Sequence, residues 1–179
     1  GKTVIACNII SKLKTKTLVI VHKTFLLNQW KNRIEFFLPN SKVGIIQGKT
    51  IDVDNKDIVI GMLQTLSLKD DYPDDIFDDF GCIIFDECHH LSAEKFSQIL
   101  RKISLRYMIG LSGTPFRNDK LEKVFDYHIG EIMYYEKPQV NQDILVEIHK
   151  YSIDHEKFKI ILNKYTKEAQ ISTMITNIT

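Results

Sequence analysis

The chain has 179 residues, of which 44% are hydrophobic and 26% charged, so we expect one domain of ordinary size with a sizeable core. Lysine and arginine number 24 against 23 acidic residues, and this balance excludes a histone-like basic tail and an acidic disordered tail. No stretch approaches the ~20 apolar residues of a membrane span, no signal peptide is visible, and three cysteines favour an intracellular, reducing compartment over a disulfide scaffold.

Short apolar runs alternate along the chain with helix-like patterns. The runs predict strands at 18–21, 43–46, 57–60, 82–85, 107–111, 132–135 and 144–148. The strand at 107–111 is expected to be a further central strand of the sheet. Three- and four-residue spacings of apolar residues predict helices at 4–10, 26–37, 92–103 (with Ser92 as N-cap), 121–125 and 158–169. Six aspartates within 70–79 predict a solvated acidic loop or a short helix there.

This alternation predicts an α/β fold in which helices cover both faces of a mostly parallel sheet. Ligands of such sheets bind at the carboxyl ends of the strands, so the residues that follow each strand are the candidates for function. A boundary is expected near Lys137-Pro138, which would divide a domain at 1–137 from a strand and helix at 138–179.

The tripeptide Gly-Lys-Thr occurs twice, and a phosphate loop requires Gly-x-x-x-x-Gly-Lys-[Ser/Thr] followed by a helix. At Gly48-Lys49-Thr50 the first glycine is replaced by Val43 and a poor helix start follows, which predicts a turn. At Gly1-Lys2-Thr3 a helix pattern follows, but the upstream half of the motif precedes the sequence. Taken alone, this copy is equally compatible with a phosphate loop and with an unrelated helix start.

Two acidic residues, Asp86 and Glu87, follow the strand at 82–85 directly. In a nucleoside-triphosphate site the first acid can join the Mg²⁺ shell and the second can polarise the attacking water. The alternative for this pair alone is an exposed acidic strand end. A zinc site built from Cys82, Cys88, His89 and His90 is disfavoured because the spacing is wrong for zinc ligands.

Polar residues also follow three other predicted strands. The turn at 112–115, Ser-Gly-Thr-Pro, can sense a γ-phosphate or be an ordinary loop, and it lacks the Gly-x-Ser-x-Gly surroundings of a hydrolase serine. His22 and Lys23 can contact nucleic-acid phosphates, or can form a solvated helix start with Thr24 as N-cap. Residues 64–65, Gln-Thr, allow the same backbone contact.

The order of these signals resembles the first RecA-like lobe of superfamily 2 DExH-box helicases and translocases. Residues 86–89 resemble motif II of that superfamily, residues 1–3 the end of motif I, and residues 112–115, continued by Arg117, motif III. Residues 21–30 are similar to motif Ia. The resemblance covers residues 1 to about 135, and it implies a P-loop NTPase lobe that is truncated at the strand of its phosphate loop.

The resemblance also implies roles for individual residues. Gly1, Lys2 and Thr3 would bind ATP, with Lys2 at the β- and γ-phosphates and Thr3 on Mg²⁺. Asp86 would join the Mg²⁺ shell through water, and Glu87 would activate the hydrolytic water. His89 would connect the nucleotide to the coupling residues Ser112 and Thr114. The residues expected to contact nucleic acid are His22, Lys23, Gly48, Gln64 and Thr65.

Within the superfamily, Asp-Glu-Cys-His-His and Ser-Gly-Thr-Pro-Phe-Arg are most similar to excision-repair-type helicases, type III restriction-like translocases and helicases of large DNA viruses. This implies an ATP-dependent DNA helicase or translocase, with no membrane partner. A second RecA-like lobe of the same protein would supply the arginine fingers. The alternatives are an RNA helicase and a fragment that binds nucleic acid without hydrolysing ATP. A P-loop kinase is disfavoured because His89 and residues 112–115 would have no role in one.

Overall fold

A computed structural model of the chain describes residues 1–68, 72–73, 75–90, 93–103, 105–114 and 127–136. The chain divides into two compact units, residues 1–135 and 136–179, and the elements given below all lie in the first. The predictions for Ser92, Arg117, the helix at 121–125, the strand at 144–148 and the helix at 158–169 lie outside the described residues.

Six strands form one sheet in the order β3-β2-β4-β1-β5-β6. Five of them come from strongly apolar or β-branched runs. The strands are β1 (Lys16–Val21), β2 (Val43–Gln47), β3 (Thr50–Asp52), β4 (Ile58–Met62), β5 (Phe80–Asp86) and β6 (Tyr107–Leu111). Every pairing is parallel except the antiparallel hairpin of β2 and β3. The predicted mostly parallel sheet is therefore confirmed.

Helices cover both faces of the sheet, as predicted. They are α1 (Lys2–Leu13), α2 (Thr24–Phe37), α3 (Leu63–Leu68) and α4 (Ala93–Leu100), and a 3-10 turn spans Cys88–His90. Because successive strand residues point to opposite faces, Val19 and Ile84 pack with α1 and α2. Leu18 and Ile83 pack with α3 and α4 on the other face. Each fully buried aliphatic side chain of this kind contributes about 1.5–3 kcal/mol to folding.

Two elements of the sheet region were not predicted, and one strand has a different position from the expected one. β3 has only three residues and α3 only six, too few for a hydrophobic period to register. Within the described residues β6 pairs with β5 alone, so it lies at an edge of the sheet and not in its centre. An apolar run predicts a strand but does not show how many neighbours the strand has, and of the β6 residues only Leu111 is buried.

Two further predictions need correction. Residues 132–135 are not a strand: they form an extended loop with exposed side chains, and none of the described strands pairs with them. Residues 75–79 form a turn, but it is not wholly solvated, since Ile76 and Phe77 are buried in the core. The many aspartates of this segment make its sequence pattern polar, although Ile76 and Phe77 anchor the turn in the core. In the part of the chain that the structure describes, no helix is long and apolar enough to cross a bilayer.

Candidate functional site

Asp86 ends β5 and is held at both of its carboxylate oxygens. Strand alternation places it on the same face as Ile84, which is the face covered by α1 and α2. Its Oδ2 accepts a hydrogen bond of 2.7 Å from the indole Nε1 of Trp30, and its Oδ1 accepts one of 3.0 Å from the backbone N of Glu87. Asp86 is only 9% exposed, so these two donors replace much of the water that a carboxylate normally binds.

Glu87 turns the chain away from the sheet. Its φ is 49°, in the left-handed region that non-glycine residues seldom adopt. This conformation places its carboxylate against two basic groups: the Nζ of Lys2 lies 2.5 Å from Oε1, and the Nδ1 of His89 lies 3.3 Å from Oε2. Strained backbone of this sort is concentrated at functional sites.

The pKa of Glu87 lies below its ordinary value. Partial burial acts to raise this pKa, but the hydrogen bond and the charge of Lys2 act against it, together with the charge of His89 and the backbone N–H of Gly113. The combined effect of these partners is larger than that of burial. Glu87 is therefore an anion at neutral pH, which is the state that can accept a proton from water.

A chain of contacts continues from Glu87 to the end of β6. The Nδ1 of His89 lies 2.9 Å from the Oγ of Ser112, with the direction of that hydrogen bond set by the histidine tautomer. Ser112 Oγ in turn accepts a hydrogen bond of 3.1 Å from the backbone N of Thr114. The structure therefore brings together the four predicted residues Glu87, His89, Ser112 and Thr114, with Thr114 contributing its backbone.

The N-terminus of α1 completes this cluster. Gly1 is the N-cap, and no side chain of the described residues caps the first turn of the helix. The N–H groups of this turn can therefore donate hydrogen bonds to an anion. Thr3 lies in this turn and is half-buried. Lys2 also approaches the loop after β6, since a Cβ atom added to Gly113 would lie 3.1 Å from its Nζ. The predicted turn at Gly48, by contrast, is an ordinary hairpin turn between β2 and β3.

The residues present fit a magnesium ion. Mg²⁺ binds oxygen, and in phosphate-transfer sites it uses one or two carboxylates together with substrate phosphates. Asp86 and the hydroxyl of Thr3 are donors of this type. Among the described residues each Asp86 oxygen has one hydrogen-bond donor, which leaves it a second lone pair for a metal-bound water. Across the described ranges no cluster of three or more His, Cys, Asp or Glu could form an all-protein metal site.

The three cysteines pack in or against the core. Cys7 and Cys82 are buried, and Cys88 is half-buried. Burial raises the pKa of Cys82, and likewise the pKa of Cys88, to about 11. Cys82 and Cys88, the two cysteines of the disfavoured zinc site, lie among apolar side chains of the two core clusters.

The residues predicted to contact nucleic acid gather at the ends of β1, β2 and β4. Gly48 donates its backbone N–H to Thr65 Oγ1 at 2.9 Å, and Gln64 donates its Nε2 to the His22 carbonyl at 2.8 Å. Lys23 is the N-cap residue of α2, directly after His22. Gly48, Gln64 and Thr65 line a shallow depression of about 330 Å³ with Leu68. All five predicted residues thus lie at the carboxyl edge of the sheet.

Trp30 is the residue of this site that the sequence did not reveal. Its spacing from Leu26, Leu27 and Ile34 predicted a place in the core, which it has, with 1% of its surface exposed. It also ends the segment 21–30 that is similar to motif Ia, but neither pattern indicated a contact with Asp86. One signal was available, because a buried indole N–H nearly always requires a hydrogen-bond acceptor. The sequence did not show which acceptor this would be.

The family model described as "Type III restriction enzyme, res subunit" matches residues 1–117. The chain is 40% identical over 180 residues to a protein of Acanthamoeba polyphaga mimivirus named "Putative ATP-dependent RNA helicase L396", covering 99% of this chain and 34% of that one. It is 33% identical over 156 residues to "Probable helicase D10" of Escherichia phage T5, covering 87% of this chain and 33% of that one. The chain spans about a third of the length of these relatives.

Solved structures of helicase proteins share the fold. UvsW of bacteriophage T4 superimposes with a TM-score of 0.54 at 25% identity, over 64% of this chain and 25% of that one. The Sulfolobus solfataricus SWI2/SNF2 ATPase core, solved in complex with double-stranded DNA, gives a TM-score of 0.56 at 19% identity, over 71% of this chain and 29% of that one. With the extent of the family match, these similarities show that the chain belongs to the type III restriction enzyme res subunit family and is a RecA-like lobe of the superfamily 2 helicases.

Proposed function

We propose that this chain is the ATP-binding motor lobe of an ATP-dependent DNA helicase or translocase. The observation that carries the proposal is the continuous contact chain from Lys2 through Glu87 and His89 to Ser112. This chain of contacts connects the N-terminus of α1, where phosphate could bind, with the carboxyl ends of β5 and β6. We propose residues 1–137 as the lobe, and residues 138–179 as a connection to a second RecA-like lobe.

In this proposal ATP hydrolysis uses the chain's own groups in distinct roles. The uncapped first turn of α1 and the Lys2 ammonium bind the phosphates of ATP. Mg²⁺, held by Thr3 and through water by Asp86, supplies charge neutralisation when bound. Glu87 orients the attacking water and accepts its proton, a role for which its low pKa keeps it ionised. His89 contacts both Glu87 and Ser112, and through these contacts it couples the nucleotide bound at Glu87 to the loop that begins at Ser112.

The nucleic acid would lie along the other half of the same edge. The Gly48 backbone N–H is held by the Thr65 hydroxyl, and the Gln64 side chain is held by the His22 carbonyl. These bonds fix the Gly48 backbone and the Gln64 side chain at the edge where a phosphate chain could pass. Contacts of this type grip the backbone of nucleic acid and carry no sequence information. DNA is preferred as the track because residues 86–90 and 112–117 are most similar to DNA-directed members of the superfamily. The RNA helicase name of the mimivirus relative favours the alternative track.

Replacing Glu87 tests the ATPase assignment. In the full-length protein, Glu87→Gln should abolish ATP turnover and retain ATP binding, because the amide cannot accept the proton of the water but keeps the size of the side chain. Steady-state hydrolysis and equilibrium binding of ATP measure the two effects. The matched control is Glu94→Gln, a change on the exposed face of α4, which should leave both unchanged. Full hydrolysis by Glu87→Gln would overturn the assignment.

The choice of nucleic acid is tested separately. ATP hydrolysis by the full-length protein should be stimulated more by duplex DNA than by RNA of the same length and sequence. Greater stimulation by RNA would establish the RNA helicase alternative. Binding of nucleic acid without any hydrolysis, in the presence of ATP and Mg²⁺, would establish the non-catalytic alternative.

A further inference from the structure

We propose that Trp30 is a positioning residue for Asp86: its buried indole N–H fixes the orientation in which the carboxylate of Asp86 meets Mg²⁺. The inference rests on the proposed function and adds to it a residue from a different element of the fold. Trp30 lies on α2, 56 residues away from Asp86 in sequence. It ends the segment 21–30 that is similar to motif Ia, and that resemblance implies no role for it at the nucleotide site.

The contact has the geometry of a specific hydrogen bond. Nε1 and Oδ2 are 2.7 Å apart, a short distance typical of an N–H donor to a charged acceptor. Trp30 is 1% exposed and Asp86 9%, so water cannot readily replace either partner. An unpaired carboxylate oxygen in this environment would be costly.

The two donors to Asp86 act together on its rotation. The Glu87 backbone N–H holds Oδ1 and the indole holds Oδ2, so the plane of the carboxylate is fixed from both sides. One lone pair on each oxygen remains for a metal-bound water. Removing the indole donor leaves the carboxylate anchored at Oδ1 alone. The carboxylate could then rotate away from the direction in which the ion is bound.

Partners of this kind affect metal affinity although they do not touch the metal. Losing a group that orients a metal ligand typically costs 10–100-fold in metal affinity or activity. For Trp30→Phe, which keeps an aromatic ring in the core and removes the N–H, we expect about a tenfold increase in the Mg²⁺ concentration that half-maximally strengthens ATP binding. Binding of ATP without Mg²⁺ should not change, because no phosphate-binding group is altered.

The first experiment tests the contact itself and needs no nucleotide. Trp30 is the chain's single tryptophan, so a proton–nitrogen correlation NMR spectrum of the ¹⁵N-labelled chain contains one indole N–H resonance. This resonance should lie downfield and move upfield in Asp86→Asn, because an amide oxygen is a weaker acceptor than a carboxylate. Asp79→Asn, on an exposed turn, is the control and should not move it. An indole resonance that ignores Asp86→Asn would overturn the proposal.

The second experiment measures ATP binding by the full-length protein against Mg²⁺ concentration. Ile34→Val is the matched structural control, since Ile34 lies one turn further along the same buried face of α2. The proposal requires a Mg²⁺-dependent loss in Trp30→Phe that is absent in Ile34→Val, and that disappears when Asp86→Asn is already present. If Trp30→Phe weakened ATP binding equally with and without Mg²⁺, Trp30 would only pack in the core and would not position Asp86. If the unaltered protein binds no ATP, the proposed function itself fails, which is a separate result.

Discussion

The pair formed by Lys2 and Glu87 combines two residues that the proposed mechanism uses for different tasks. In the structure the Lys2 ammonium lies against the Glu87 carboxylate, with their side chains 34% and 25% exposed. An exposed pair of this kind adds little to stability because water screens it. The pair matters more for the pKa of Glu87. The hydrogen bond from Lys2 and the charge of Lys2 are the two largest causes that lower the pKa of this carboxyl.

Lys2→Met is expected to raise the pKa of Glu87, because the opposing effect of burial remains when the ammonium is gone. A carboxyl whose pKa is lowered by folding stabilises the fold above its unfolded pKa and loses that contribution as pH falls through the folded value. The stability difference between the two proteins should therefore shrink as the solution is acidified below the ordinary carboxyl range. An NMR titration of the Glu87 carboxyl carbon and urea unfolding at several pH values measure the two effects.

The control for this prediction is Lys56→Met, which removes an ion pair with Asp52 at the surface. This variant should leave the titration of Glu87 unchanged. An unaltered Glu87 pKa in Lys2→Met would show that the contact in the structure does not govern the charge of the site.

Helix α2 is the element that connects the two halves of the sheet edge. It begins beside Lys23, among the residues proposed to contact nucleic acid, and its second turn carries Trp30 to Asp86. The hairpin of β2 and β3 also reaches this edge. Gly48 in its turn donates its backbone N–H to the hydroxyl of Thr65, which follows β4. Gly48 has a φ of +58°, a conformation that glycine adopts without strain.

Gly44→Ala should disrupt this hairpin. A Cβ atom at Gly44 would collide with the backbone carbonyl oxygen of Asp52 on β3, and a paired backbone cannot move aside without losing its ladder. We expect a loss of about 3 kcal/mol in the free energy of unfolding, measured by urea denaturation. Gly61→Ala on β4 is the matched strand control, with an expected loss of about 1 kcal/mol, because its new methyl group meets the ends of the Leu66 and Leu18 side chains, which can shift. Equal losses would contradict this account.

In the whole molecule, the carboxyl edge of the sheet carries two separate groups of candidate residues. The ends of β5 and β6 and the start of α1 hold the nucleotide candidates, and the ends of β1, β2 and β4 hold the nucleic-acid candidates. The division follows from the strand order, which sets β1 between β4 and β5. The net charge of the chain is +1, so in the proposal this lobe holds nucleic acid by local contacts and needs no broad basic surface.

This charge balance predicts a weak dependence of nucleic-acid binding on salt. Because each neutralised phosphate releases counterions, a plot of log affinity against log salt concentration should have a slope shallower than about −3 for contacts with two or three cationic groups. Fluorescence anisotropy with labelled DNA between about 50 and 200 mM salt measures the slope. A slope near −6 or steeper would show an extended basic surface and contradict the proposed local grip.

The α/β class, five of the six strands and the order of the motifs follow from the amino-acid sequence, because these are local patterns of apolar period and residue type. The sequence also puts Asp86, Glu87 and Ser112 at strand ends, where parallel strands gather ligand-binding groups. Three features emerge only from tertiary contacts: the edge position of β6 in the described sheet, the existence of β3 and α3, and the hydrogen bond from Trp30 to Asp86. Each of these depends on contacts between residues far apart in the chain, and a local pattern carries no information about which distant partner a side chain will meet.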